Sequence, residues 1–169
     1  MNNLSTAILN LPSLVSEAAD QLAEAKTSAE VLEAKTMAGV AYDAAKSAGR
    51  IARMKEAHDD LMQKIYRSQA RCVIIEGEAQ ARLADEYDAA QERGEVAKRG
   101  WESGVDKHNI TTAADLGLRR DQIHEARKVR NLLRENPTAI EDKVNELAER
   151  GLEPTKAAIR EQLLYALEN

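Results

Sequence analysis

Apolar residues recur at steps of three and four along most of this chain, which is the spacing of one helix face. Ile8, Leu11, Val15, Ala18, Leu22 and Ala25 form the first run, and Pro12 with Ser13 opens the helical pattern. Thr27-Ser28-Ala29-Glu30 then reads as a capping box, a hydroxyl at the N-cap with Glu three residues on, so a break is expected there. The next run is Val31, Ala34, Ala38, Ala41, Ala45 and Ala48, a regular alternation of mostly small residues. Small side chains let helix axes approach closely, so this face is expected against another helix.

From Ile51 the stripe continues through Met54, His58, Leu61, Ile65, Ser68, Cys72, Ile75 and Ala79, then drifts by one to Leu83, Tyr87 and Ala90. With Gly49 as the joint, a single helix would run from about 50 to 93 and span roughly 65 Å. A helix of that length in a chain of 169 residues must fold back as a hairpin or pair with another chain, and both are expected. Periodicity is lost between Arg93 and Asn109, where Gly94, Gly100 and Gly104 mark a linker. Shorter helices follow. One covers Thr138 to Arg150 and ends at Gly151, and another opens at Pro154 and continues to about Leu167.

The pattern therefore predicts an all-α fold: a long N-terminal helical hairpin or coiled coil over 1–94, a linker over 95–104, and a small helical domain over 105–169. Composition agrees. Aromatic residues make up 3% of the chain, with four Tyr, one Trp and no Phe. Sandwiches, barrels and bulky α/β cores draw much of their buried area from aromatics, so they are excluded. The single Cys72 rules out an intramolecular disulfide and suits a reducing, cytoplasmic setting. No run reaches the roughly 18 apolar residues of a membrane span. The first residues carry no basic segment before their short apolar stretch, so no signal peptide is expected.

Charge changes the picture more. The net −5 hides an uneven distribution: residues 1–97 carry −5, residues 98–134 carry +4, and residues 135–169 carry −4. Inside the basic island lies NITTAADLGLRRDQIHEARK, Asn109 to Lys128, which matches the helix-turn-helix pattern. Ala113 is the small residue at the helix crossing, and Gly117 takes the turn, where a left-handed backbone is required. Leu116 and Leu118 point inward, Ile123 anchors the second helix and Ala126 continues its buried side. In such motifs the second helix enters the major groove. Arg119 and Arg120 stand near its N-terminus, suited to guanine edges or a phosphate. Gln122 suits adenine, and His124 reads as a polar residue facing the groove. Arg127, Lys128, Arg130 and Arg134 extend the basic side toward phosphates. The competing reading is an ordinary helical corner with solvated arginines, and Asp121 and Glu125 support it.

Nothing else carries comparable chemistry. His58, His108 and His124 lack partners at metal-ligand spacing, and no phosphate-binding Gly loop or Ser-centred elbow is present. Pairs such as Asp59-Asp60 and Asp85-Glu86 read as solvated helix faces, His58 as a seam residue and Trp101 as a packing lid. No cofactor and no catalytic residue is expected.

The segments AEVLEAKTMAGVAYDAAKSA, RLADEYDAAQERGEVAKRG, TAADLGLRRDQIHEARKVR and GLEPTKAAIRE resemble largely uncharacterised helical proteins from prophages and mobile elements of alphaproteobacteria. The helix-turn-helix alone resembles that of ParB/KorB-type partition and repressor proteins over about 20 residues. The nucleotide-binding portion of ParB proteins has no counterpart here, so that activity does not carry over. The resemblance implies a phage or mobile-element setting. The sequence expectation is a homodimeric DNA-binding regulator of transcription or replication with double-stranded DNA as its partner. The alternative is a helical module that binds and inhibits or recruits a host or phage protein.

Overall fold

The computed structural model describes residues 3–96, 112, 113 and 118–161. Those residues form an all-α protein with five helices: α1 Asn3–Glu24, α2 Ser28–Met54, α3 Asp59–Glu92, α4 Arg120–Glu135 and α5 Ala139–Glu149. A further helical turn covers 156–161. The linker residues 97–104 with Trp101, together with His108, Leu116, Gly117 and the stretch beyond 161, lie outside the described residues.

The first three helices form an up-down-up bundle. Gly49 lies beside Ile65 and Gly39 beside Glu76, while Arg53 reaches Tyr66 at 2.8 Å, so residue numbers rise on α2 as they fall on α3. Helix α1 runs alongside α3 instead. Leu11 shares a cluster with Ile65, and Arg82 donates to the carbonyl of Leu22 at 2.6 Å and to that of Ala25. The small-residue face of α2 fills the centre: Val31, Ala34, Ala38, Ala41 and Ala45 are each fully buried. The break before it is the expected capping box. Thr27 Oγ1 accepts from the Glu30 amide at 3.2 Å, and the Glu30 carboxylate accepts from the Thr27 amide at 3.0 Å.

Two expectations are corrected. Helix α1 begins well before Pro12, which sits inside it on the exposed side; the lost N–H removes one ladder bond without ending the helix. The joint between the long helices lies at Lys55–His58 rather than at Gly49. Gly49 is buried in α2, where a Cβ would lie 3.5 Å from the Ile65 methyl, so its small size serves helix packing. Ile51 and Met54 consequently leave the seam and are exposed, and His58 becomes the exposed N-cap of α3.

The C-terminal ends of α2, α3 and α5 share one device. The amide of Ala57 donates to the carbonyl of Ala52 at 3.0 Å, Glu95 to Ala90 at 2.9 Å and Leu152 to Leu147 at 2.9 Å. These are the six-residue closures of the Schellman motif, which place a left-handed residue just before the donor. Gly94 at φ 77° and Gly151 at φ 66° fill that place in two of them, and Glu56 at φ 51° in the third.

The C-terminal part docks on α3. Gly77 of α3 gives room to Ile140 of α5. Residues 152–155 then run as a non-helical strap across the α2–α3 groove, with a tight turn in which the Thr155 amide donates to the Glu153 carbonyl at 2.9 Å. Gln69, fully buried, donates to Glu153 at 3.0 Å, and Tyr42 Oη accepts from the Lys156 amide at 3.1 Å. The Lys156 ammonium lies 4.3 Å over the Tyr42 ring and 2.5 Å from Glu76. Pro154 is the fully buried residue of this strap, and helix resumes at Lys156 rather than at Pro154. Ile123, Ile140, Val144, Leu147 and Ile159 join the same hydrophobic cluster as Val15, Ala34 and Cys72.

Candidate nucleic-acid interface

The candidate interface is built on α4. Its inward side is fixed by Ile123, Ala126 and Leu132, all buried, with Leu118 buried just before the helix. Ala113 packs against the core, and the Leu118 amide donates to its carbonyl at 2.8 Å. Leu118, Ile123 and Ala126 are inward positions that the sequence pattern assigned; Leu132 was not among them, and Leu116 lies outside the described residues.

The first turn is exposed. Arg119, Arg120, Asp121 and His124 all face solvent. Arg119 pairs with Asp121 at 2.8 Å, and both side chains are more than 60% exposed, at 74% and 67%. Such a pair is screened and weak, so it leaves the guanidinium available to a stronger acceptor. The Gln122 side-chain oxygen accepts from the Arg119 amide at 2.8 Å. Gln122 therefore serves as a helix cap, and its half-buried amide is partly committed.

Further along α4 the cations turn toward α3. Arg127 donates through Nε to Asp88 at 2.9 Å and lies 5.7 Å from the Tyr87 ring centroid. Arg130 donates to Asp88 at 2.5 Å and its side chain is only 12% exposed. Arg134 reaches Asp85 at 2.7 Å while staying largely exposed. Burial works against the charge on Asp88, but hydrogen bonds from Arg127 and Arg130 outweigh it and hold its carboxyl below the usual carboxylate range. Asp85, read from sequence as a solvated face, is thus part of the α3–α4 contact. Asp85 and Asp88 stand one turn apart and Arg127, Arg130 and Arg134 share a similar spacing, but spacing alone does not say that the two helices face each other.

Lys128 is half-buried and lines a cavity of ≈ 210 Å³ with Gly77, Glu125, Ile140, Lys156 and Arg160. Arg160 pairs with Glu125 at 2.5 Å on its rim. The sequence-predicted set is therefore divided. Arg119, Arg120 and His124 are exposed at the N-terminal end of α4, Arg134 is exposed at the far end, and Gln122, Arg127, Lys128 and Arg130 are partly withdrawn. Among the described residues, no helix is long and apolar enough to cross a membrane. No family model, curated protein or solved structure matches this chain.

Proposed function

We propose that this chain is a DNA-binding regulator of a phage or mobile element, reading duplex DNA with the N-terminal turn of α4. The observation that carries the reading is the placement of Arg119, Arg120 and His124. They are all exposed at the N-terminal end of α4, Arg119 as its N-cap and Arg120 and His124 one turn apart, while Ile123 and Ala126 bury the other side of the same helix. A helix presented this way offers its first turn to base edges in a major groove. The Leu118-to-Ala113 bond supports the turn: it spans six residues like the three Schellman closures elsewhere in the fold, and the residue before its donor is again a glycine, Gly117.

Under this reading Arg119 and Arg120 meet guanine or phosphate, and Lys128 and Arg134 approach flanking phosphates. Arg127 and Arg130 hold the helix on α3, which fixes its angle. Titration of labelled duplex from the element's own control region at several salt concentrations tests this. Salt-sensitive, sequence-dependent binding is expected, and its absence would overturn the proposal. The second reading, a module that binds and inhibits or recruits a host or phage protein, draws support from the same ion pairs, which leave α4 fewer free cations. Capture of such a protein by the full chain, with duplex left unbound, would decide for it.

A further inference from the structure

The docking of the C-terminal part leaves a cavity of ≈ 210 Å³ between α3, α4, α5 and the helical turn at 156–161. Val73, Val129, Leu132, Ile140 and Ile159, drawn from all four elements, give it an apolar wall. Its charged groups are mostly paired: Lys156 holds Glu76, and Arg160 holds Glu125 at the rim. Gln80 of α3 and Lys128 of α4 also line the cavity, both half-buried. Neither side chain bonds to another described residue.

Size and charge select the ligand. A cavity of about 150 Å³ lined by apolar side chains admits benzene, so this one has room for such a ring and a short polar arm. It falls short of the roughly 300 Å³ at which drug-sized ligands begin to fit. The lining carries three cations and two carboxylates, and the two ion pairs cancel all but Lys128. One negative charge on the ligand completes the balance. An ammonium ligand would meet Lys128 as a like charge. A phosphate dianion would bring more charge than one free cation matches and would leave the apolar wall unused. A carboxylate accepts from the Lys128 ammonium and from the Gln80 amide, and such charge-assisted bonds are stronger than neutral ones.

We propose that this cavity binds a small monocarboxylate with an apolar body of benzene size, anchored by Lys128 and Gln80. The inference does not rest on the DNA reading and is tested without DNA. A bound carboxylate takes up Lys128, which then no longer reaches a flanking phosphate. The probe is phenylacetate, titrated into the methyl-labelled full chain and followed by nuclear magnetic resonance. Saturable shifts are expected at the Val129, Leu132, Ile140 and Ile159 methyls. Phenethyl alcohol and phenethylamine keep the ring and replace the carboxylate with a neutral and a cationic head. Each is expected to bind at least about tenfold more weakly. These comparisons use the parent chain, so they stand whether or not a variant folds. Lys128→Met keeps the side chain's length and removes its charge. It is expected to lose about tenfold in phenylacetate affinity and to bind the alcohol as the parent does. No saturable shift at millimolar phenylacetate, shifts confined to methyls outside the cavity, equal binding of acid and alcohol, or parental phenylacetate affinity in folded Lys128→Met would overturn the proposal.

Discussion

Gly77 is the point where α5 depends most directly on an absent side chain. A Cβ built there falls closer to Ile140 Cδ1 than real Cβ contacts allow, whereas the next atom, Cγ1, lies at 3.6 Å, an ordinary contact. Gly77→Ala therefore has two opposing effects. Alanine in a helix interior gains about 1 kcal/mol over glycine. Forcing the buried Ile140 from its place costs about 2 kcal/mol, in the middle of the range for overpacking. Ile140 is 5% exposed, so its tip cannot simply turn to solvent. The expected net is a loss of about 1 kcal/mol. Ile140→Val removes the offending methyl and alone costs about 1 kcal/mol. In that background the clash is gone, and Gly77→Ala becomes stabilising by about 1 kcal/mol. Urea unfolding of the four proteins, followed by far-ultraviolet circular dichroism, measures this cycle. The reasoning is refuted if Gly77→Ala has the same sign in both backgrounds, because Ile140 would then not be what excludes a side chain at this position.

Glu56 holds a left-handed backbone at φ 51°, so Glu56→Gly should raise stability by about 1 kcal/mol in thermal or urea unfolding; a loss would mean the closure after α2 needs the carboxylate. Asp88 has a lowered pKa, so its contribution is present above its unfolded pKa, near pH 4, and is lost as pH falls through the folded value. Asp88→Asn should accordingly destabilise the protein at pH 7, and the difference from the parent should shrink steadily below about pH 4, as read by unfolding at a series of pH values. Burial, then the nearby Glu76 carboxylate, push the Cys72 thiol up to about 12. Native protein should therefore resist iodoacetamide at pH 8 and react promptly once unfolded in urea, and rapid native labelling would show that the core around Cys72 opens.

The all-α class and the inner faces of the first three helices could be read from spacing alone, because burial imposes a period that survives in the residues. Val31 to Ala48 and Ile65 to Ala90 are cases. The capping box at Thr27 was equally legible, since its two bonds are local. The joint at Lys55–His58 was not. Glu56 adopts a conformation that glycine usually supplies, so the residue gave no signal, while Gly49 gave a false one by serving close packing. Gly94 and Gly151 fit the ordinary rule and were read correctly as breaks. For α4, the inward positions Leu118, Ile123 and Ala126 were legible from the motif. The turning of Arg127 and Arg130 toward Asp88 was harder to see, because it depends on which helix lies beside α4, a long-range fact that local charge patterning does not contain. Gln69, Tyr42 and Lys156 were missed for the same reason. Their partners lie about a hundred residues apart in the chain.

The central claim is that the exposed first turn of α4 meets DNA while its later arginines hold the helix in place. The most direct measurement is the salt dependence of duplex affinity for the parent, for Arg119→Ala/Arg120→Ala and for Arg127→Ala. The account predicts that the double variant loses affinity and flattens the log–log slope by about 1.8 per bound chain, two phosphate contacts' worth. Arg127→Ala should lower folding stability yet keep the parental slope. Parental affinity and slope in the double variant, or a flattened slope only in Arg127→Ala, would contradict the account.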